Sequence, residues 1–367
     1  MALTGIQILK LLPKTNCGEC KFPTCLAFAM ALAAGKTELD LCPHVSADAK
    51  TQLSDASAPP IRQVSIGVDD YGVKIGGETV LFRHEKTFFN KPGIAVLITD
   101  TMDDGEVERR LTALEYFQYE RVGVTMKPEM AAIKFTGNKD RFIAIVKSAL
   151  VRPCAVILVC GEVQVMKEAL DIVRDKKPLI YAATLDNHEA FGALAKDYGV
   201  PLAVVGKGFD EVAALTEKLT AMGLKDLVID TSARGVRDAF TDQIAIRRAA
   251  LISKFKPLGF PTITFPCEMT DDPMKETLIA SLFVAKYAGI IVLSDITGET
   301  LFPLLLQRLN IYTDPQRPMT TTDPAVRRLN RARSSGTDQG RRPSRPMTPS
   351  ADCASAPMLN VTSVARS

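Results

Sequence analysis

The chain has 367 residues, 46% hydrophobic and 24% charged, a globular balance long enough for two or more domains, so disorder of the whole chain is excluded. No cleavable leader and no apolar run long enough to span a bilayer is legible, and a soluble cytoplasmic protein is expected. The net charge of +3 is uneven: eight Arg, no Lys and three Asp from position 321 onward leave residues 1–320 at −2, a slightly acidic body that excludes a nucleic-acid surface.

In chain order, residues 1–57 form a small helical head. Ile6 to Leu12 reads as a helix, Cys17 follows, and an apolar helix from Thr24 to Ala34 is closed by Gly35 as its C-terminal cap. Ser57-Ala-Pro-Pro60 breaks the helical pattern and opens a linker with a β meander over 58–91. Its strands are Val64–Val68, Val73–Ile75 and Thr79–Phe82, set around Asp-Asp-Tyr-Gly and Gly-Gly turns.

From 92 to 319 short apolar runs alternate with amphipathic stretches. Expected strands are Ile94–Thr99, Arg121–Thr125, Ala155–Cys160, Leu179–Thr184, Leu202–Gly206, Leu227–Asp230, Thr262–Phe265 and Ile290–Ser294, continuous apolar runs suited to a parallel sheet buried on both faces. Expected helices are Gly105–Glu120, Asp140–Leu150, Val163–Arg174, Asn187–Tyr198, Phe209–Met222, Val236–Phe255, Met274–Tyr287 and Glu299–Leu309. Eight βα units predict an α/β fold, a (β/α)8 TIM-type barrel, over a doubly wound open sheet. The tail over 320–367 is rich in Arg, Ser, Thr and Pro without periodicity and predicts disorder. Its change of vocabulary from a Lys-using body suggests an aberrant, frameshifted end, against which stands a natural basic tail.

Eight cysteines are present, and four crowd into the first 42 residues. That crowding points to metal rather than disulfides. Asn16-Cys17-Gly-Glu-Cys20-Lys-Phe-Pro-Thr-Cys25, then Leu41-Cys42-Pro43, gives a C-x2-C-x4-C-x16-C spacing. A tight turn at Gly18 lets two thiolates face one centre, Cys25 returns at the start of the apolar helix, and Cys42 closes the site. Thiolates select zinc or an Fe–S cluster. The Cys-Pro ending and the apolar wrap of Phe22, Leu26, Phe28, Leu39 and Leu41 favour a [4Fe–4S] cluster, with zinc as the alternative. Cys154, Cys160 and Cys267 read as small buried hydrophobes, and Cys353 falls in the tail.

Catalytic groups in a barrel sit where strands end, here Asp100, Lys127, Gly161, Thr184, Gly206, Asp230, Cys267 with Glu268, and Asp295. Their carboxylates suit acid/base work or, more simply, helix capping. The histidines His44, His84 and His188 show no paired metal-binding spacing, and His44 is expected to pack beside the cysteine site. No Walker A motif and no G-x-G-x-x-G is present, so nucleotide chemistry has no seat.

Thr15-Asn-Cys-Gly-Glu-Cys-Lys-Phe-Pro-Thr-Cys25 and Leu41-Cys-Pro43, followed by a barrel and by Asn310-Ile-Tyr-Thr-Asp-Pro-Gln-Arg-Pro-Met319, resemble the large (gamma) subunits of corrinoid iron–sulfur proteins. The resemblance runs from Met1 to about Met319. It implies a cobalamin-dependent methyltransferase component of the acetyl-CoA decarbonylase/synthase system in the anaerobic Wood–Ljungdahl pathway, working with cobalt as well as iron. It implies that Cys17, Cys20, Cys25 and Cys42 hold a [4Fe–4S] cluster that reductively reactivates cobalt. It also implies a heterodimer with a small (delta) subunit, and as further partners acetyl-CoA synthase and a methyl-tetrahydropterin methyltransferase. In the family a C-terminal α/β domain holds the corrinoid; here the Arg/Ser/Pro-rich tail stands in that place, so no corrinoid-contacting residue is named. A stand-alone Fe–S electron-transfer module, without corrinoid or small subunit, is the rival. A barrel hydrolase or pterin-dependent transferase with a zinc head, working through Asp100, Asp230 or Asp295, is a third reading.

Overall fold

A computed structural model describes residues 5–33, 37, 39–46, 49, 59–121 and 123–313. The chain divides into two compact units, Met1–Thr321 and Thr322–Ser367, and every described residue lies in the first. The expected cap at Gly35, the first half of the linker and the tail lie outside the described residues.

The head is built on two helices, α1 (Gly5–Leu11) and α2 (Cys25–Ala33). Thr24 starts α2: its hydroxyl accepts from the Ala27 amide at 3.1 Å, satisfying one of the donors a helix start leaves open. The helices pack closely because Gly5 has no side chain; a Cβ there would stand 2.3 Å from Met30 Sδ. Ile8, Leu12, Phe28, Ala29, Leu32 and Leu39 form a core shared with three of the cysteines.

Strands β1 (Val64–Ile66) and β2 (Val73–Ile75) pair antiparallel, Val64 opposite Ile75 and Ile66 opposite Val73. All four apolar residues point into the barrel interior, packing with Ala95, Met130, Ala155 and Leu179. The hairpin therefore plugs the end where the strands begin, and the Gly67 amide reaches the Lys177 carbonyl at 2.9 Å just before a barrel strand. The expected third strand, Thr79–Phe82, does not form. Gly76 and Gly77, both at positive φ, turn the chain away. Glu78 then runs into a buried ion pair with Arg247 at 3.1 Å, and Arg247 also takes the Val80 carbonyl at 2.6 Å, an acceptor that a ladder would need.

The barrel follows as β3 (Gly93–Thr99), an outer hairpin of β4 (Tyr119–Arg121) and β5 (Val124–Met126), then β6 (Met130–Lys134), β7 (Ala155–Val159), β8 (Leu179–Ala183), β9 (Leu202–Val205), β10 (Leu227–Asp230), β11 (Ile263–Thr264) and β12 (Ile290–Leu293). Eight of these strands form one parallel sheet in the order β10-β9-β8-β7-β6-β3-β12-β11. The Ile229 amide donates to the Pro261 carbonyl at 2.8 Å, bringing β10 against the chain entering β11 and nearly closing the barrel. The helices outside are α3 (Asp104–Tyr116), α4 (Lys139–Leu150), α5 (Val163–Val173), α6 (His188–Tyr198), α7 (Phe209–Ala221), α8 (Val236–Leu251), α9 (Pro273–Ala285) and α10 (Gly298–Ile311). Phe142, Phe191 and Phe283 are fully buried between helices and sheet, each contributing roughly 1.5–3 kcal/mol.

One expected strand is corrected. Arg121–Thr125 falls in the β4–β5 hairpin, with an exposed turn at Gly123, and the second barrel strand is β6. Its sequence, Met-Ala-Ala-Ile-Lys, is buried along most of its length, but its alanines give a weak apolar signal beside Val124-Thr-Met126. The strand-end position assigned to Lys127 therefore belongs to Lys134, while Lys127 precedes β6 at the opposite end.

Candidate metal centre

The loop between α1 and α2 bends sharply. Lys14, Asn16, Gly18 and Lys21 all take positive φ, and the Lys21 amide closes a turn onto the Gly18 carbonyl at 2.9 Å. Gly18 sits at +77° with open space around it, so its role is the turn itself. Asn16 locks the loop to the helix: the Cys25 amide donates to its Oδ1 at 2.8 Å, and its own amide donates to Cys25 Sγ at 3.4 Å. Cys25 is the first residue of α2, so the helix start fixes where its side chain leaves the backbone. Cys42 is set by a bond from its amide to the Leu39 carbonyl at 3.1 Å.

Cys20, Cys25 and Cys42 are buried in one apolar core with Phe28, while Cys17 is exposed. Phe22 packs edge-on against Phe28 at 5.6 Å and covers the core. Leu26 and Leu41, expected in the apolar wrap, are exposed. His44 Nε2 lies 3.0 Å from Glu19, on the surface. Cys17, Glu19 and His44 are the one trio of ligand-bearing groups within 4.8 Å of one another among the described residues. No three of the four thiols therefore converge to the separation of roughly 3.8 Å that a tetrahedral zinc with ~2.3 Å bonds requires. A four-iron cluster holds its thiolates farther apart than a single ion does, and the shared apolar core with a backbone donor on sulfur suits it.

The barrel mouth holds the other candidates, in three separate networks. Asp100 is buried and accepts from the amides of Thr136, Gly137 and Asn138 at 2.9, 3.1 and 2.8 Å and from the Thr136 hydroxyl. Burial pushes its carboxyl up, but those four donors outweigh it and hold it below the usual range. Asp230 accepts from Tyr181 at 2.6 Å and Arg234 at 3.0 Å; Arg234 continues to Glu268 at 2.6 Å, which Lys134 reaches at 2.8 Å. Glu268 is pushed up by burial and pulled further down by Lys134 and Arg234. Asp295 is paired with Arg109 at 2.7 Å, on the rim. Each carboxylate is occupied by its own donors, the arrangement of caps and ion pairs. Thr184 turns its amide to Asn187 at 2.6 Å, and Gly161 and Gly206 begin loops.

Sequence reasoning missed Lys134, Arg234, Tyr181 and Arg109. Arg234 follows Asp230 by four residues, a spacing that was legible; the others depend on which strands are neighbours. Cys154 and Cys160 are buried and Cys267 half-buried, and burial pushes their thiols up to about 11, about 11 and about 12. His84 stacks on Phe82 and His188 bonds the Leu185 carbonyl, neither beside a nucleophile.

A family model described as "CO dehydrogenase/acetyl-CoA synthase delta subunit" matches residues 63–335, and one described as "Putative Fe-S cluster" matches residues 12–44. The chain is 42% identical over 321 residues to the "Corrinoid/iron-sulfur protein large subunit" of Moorella thermoacetica, covering 87% of this chain and 72% of that protein. It is 34% identical over 340 residues to the "Acetyl-CoA decarbonylase/synthase complex subunit gamma" of Methanopyrus kandleri, covering 89% and 73%. The same subunit of Archaeoglobus fulgidus is 35% identical over 346 residues, with 89% and 73% covered. Among solved structures, a dihydropteroate synthase from Thermus thermophilus is similar with a TM-score of 0.43 and 14% identity, covering 63% of this chain and 94% of that one.

Proposed function

Because the chain belongs to the family of corrinoid/iron–sulfur protein large subunits, the gamma subunits of the acetyl-CoA decarbonylase/synthase complex, we propose that its head is the reducing centre of a methyl carrier. Cys17, Cys20, Cys25 and Cys42 would hold a [4Fe–4S] cluster. Its task is to keep corrinoid cobalt in the Co(I) state while a methyl group passes from a methyl-tetrahydropterin to acetyl-CoA synthase. The observation that carries this reading is the single apolar core shared by Cys20, Cys25 and Cys42.

When bound, such a cluster supplies single electrons at low potential. The chain's own residues set the conditions for it. Asn16 fixes the α2 start and gives its amide to Cys25 Sγ, which disperses charge on that sulfur. Phe22 and Phe28 exclude water from the buried side. The exposed Cys17 leaves one edge open to redox partners. The mouth carboxylates take no part, since Asp100, Asp230 and Asp295 are each held by donors of the fold itself. The partners on this reading are a small (delta) subunit, acetyl-CoA synthase and the methyl-tetrahydropterin methyltransferase.

A second reading rests on one observation, the exposed Cys17, Glu19 and His44 trio within 4.8 Å, which suits a single divalent ion. One experiment separates the two. The 367-residue chain is purified anaerobically with its small subunit, and iron, zinc and cobalt are quantified beside the absorption spectrum. About four irons per chain support the cluster. Cobalt in addition would show corrinoid capture by this polypeptide and its partner. Zinc alone, lost on Glu19→Ala or His44→Ala, would overturn the redox reading in favour of the trio.

A further inference from the structure

Beneath the barrel, at the end where its strands begin, lies a cleft of about 570 Å³, the size of a pocket for a small molecule. One wall is the turn and second strand of the β1–β2 hairpin, another the chain entering β3, and a third the chain from β5 into β6. Lys74, Lys91 and Lys127 line it, one from each wall. Lys91 pairs with Glu129 at 3.0 Å, but the amines of Lys74 and Lys127 have no hydrogen-bond or ion-pair partner among the described residues. The carboxylates of the lining are Asp70 and Glu129, and Arg308 grips Glu129 from outside it. Three lysines and Arg308 therefore stand against two acids, a surplus of two positive charges. The cleft also presents an aromatic ring that the fold holds in place. Phe89 is 62% exposed, yet its amide donates to Glu78 Oε1 at 2.9 Å, and a Cβ on Gly77 would stand 2.8 Å from its ring. Lys127 is fixed at its backbone, where Arg308 donates to its carbonyl at 2.8 Å. Ring and lysine backbone are thus set before any ligand arrives, which lowers the ordering cost of binding.

We propose that this cleft binds a phosphate-bearing ligand with a flat ring, of the nucleotide class, its phosphates on Lys74, Lys91 and Lys127 and its ring on Phe89. The surplus positive charge selects an anion. Three amines from three separate segments suit the several oxygens of linked phosphates better than a single carboxylate, and the exposed ring offers a stacking face. Such a site needs neither a Walker A loop nor a G-x-G-x-x-G turn, because lysine side chains take the place of the backbone amides those motifs supply. It is a site of binding and not of catalysis, since barrel chemistry belongs to the opposite end. A ligand there joins the hairpin to the starts of β3 and β6, the two segments Arg308 already ties to α10, and so stabilises the closed barrel by mass action. The proposal stands on the lower end of the barrel alone and does not depend on the redox reading of the head.

The test is calorimetric titration of the anaerobically purified chain with ADP, tripolyphosphate and adenosine as probes, with thermal unfolding alongside. ADP is expected to bind at one site and raise Tm, with an affinity that falls as salt rises. Lys74→Ala/Lys127→Ala should weaken ADP about tenfold or more and Phe89→Ala about threefold or more, while tripolyphosphate loses affinity only in the lysine variant. Lys147→Ala, exposed on α4, is the control. The altered side chains are exposed or half-buried, so circular dichroism should match the parent; Lys74→Gln/Lys127→Gln repeats the test if the alanine variant loses its fold. No ADP binding at ~1 mM would overturn the proposal. Unchanged ADP affinity in the lysine variant would put the binding elsewhere and overturn it as well. Tripolyphosphate bound as tightly as ADP, with Phe89→Ala indifferent, would reduce the cleft to a general anion patch, and adenosine bound as tightly as ADP would leave the lysines without a role; either result refutes the assigned ligand class.

Discussion

Replacing Arg308 with Met tests how the barrel is closed behind the α9–α10 face. Arg308 is 2% exposed and grips Glu129 with two bonds, 2.7 and 2.8 Å, while also donating to the carbonyls of Pro92 and Lys127 at 2.8 Å each. It thereby ties the last turn of α10 to the starts of β3 and β6. Without it, Glu129 keeps only Lys91 at 3.0 Å, itself half exposed, and the Ile94 amide at 3.3 Å. Breaking a buried pair from one side costs about 3–5 kcal/mol, because the remaining charge is left uncompensated. Two carbonyls also lose their donor. In a domain of this size that is a fall in Tm on the order of 10 °C. The double variant Arg308→Met/Glu129→Gln should lose less than the single one, since the stranded charge is gone. The pH dependence has a defined sign. Burial pushes the Glu129 carboxyl up, but the charges of Arg308 and Lys91 outweigh it and hold it below the usual range. Its stabilisation is therefore present above the unfolded value and lost as pH falls through the folded one. The gap between parent and Arg308→Met should narrow in acid, where the stranded carboxylate takes a proton. Urea denaturation at neutral and acid pH measures both. A loss under about 1 kcal/mol at neutral pH, or a gap that widens in acid, would refute the argument.

Asn16→Ala removes the acceptor of the Cys25 amide, so iron loss to a chelator should be faster than in the parent, and an unchanged rate would remove Asn16 from the account. Alanine at Cys20, Cys25 or Cys42 should abolish stable iron binding, read as iron per folded chain after anaerobic reconstitution; retention of four irons by any of them would take that residue out of the proposed set. Asp100→Asn should cost about 1–3 kcal/mol, since the amide cannot match all four donors. Because the Asp100 carboxyl is held low, its contribution is lost as pH falls through the folded value, and the variant should not show that loss. Cys154, Cys160 and Cys267, with thiols pushed up to about 11 and 12, should resist alkylation at pH 8 in the native chain, checked by mass spectrometry against the denatured one.

Much of the head was legible because its information is local. The turn at Gly18 and the Thr24 start of α2 each depend on residues within a few positions of one another, so backbone geometry alone decides them. Most barrel strands were legible for a related reason: a strand buried on both faces must be a short continuous apolar run. That rule failed at β6, where two alanines pack against large neighbours and hide the signal in their own small size. The β meander was half legible. Its third strand disappeared because Arg247, more than 150 residues away, takes the Glu78 carboxylate and the Val80 carbonyl.

Only the tertiary structure decided which charges meet. Asp100, Asp230 and Asp295 read alike at three strand ends, yet they sit in three unrelated networks, and apart from the Arg234 beside Asp230 most of their side-chain partners come from other strands and helices. The outward face of α9, where Met274, Leu278 and Leu282 are exposed, was invisible in the sequence because both faces of that helix are apolar, so periodicity could not say which one the sheet would cover. Sequence determines what each segment can bury; which face is left exposed follows from how the segments close around one core.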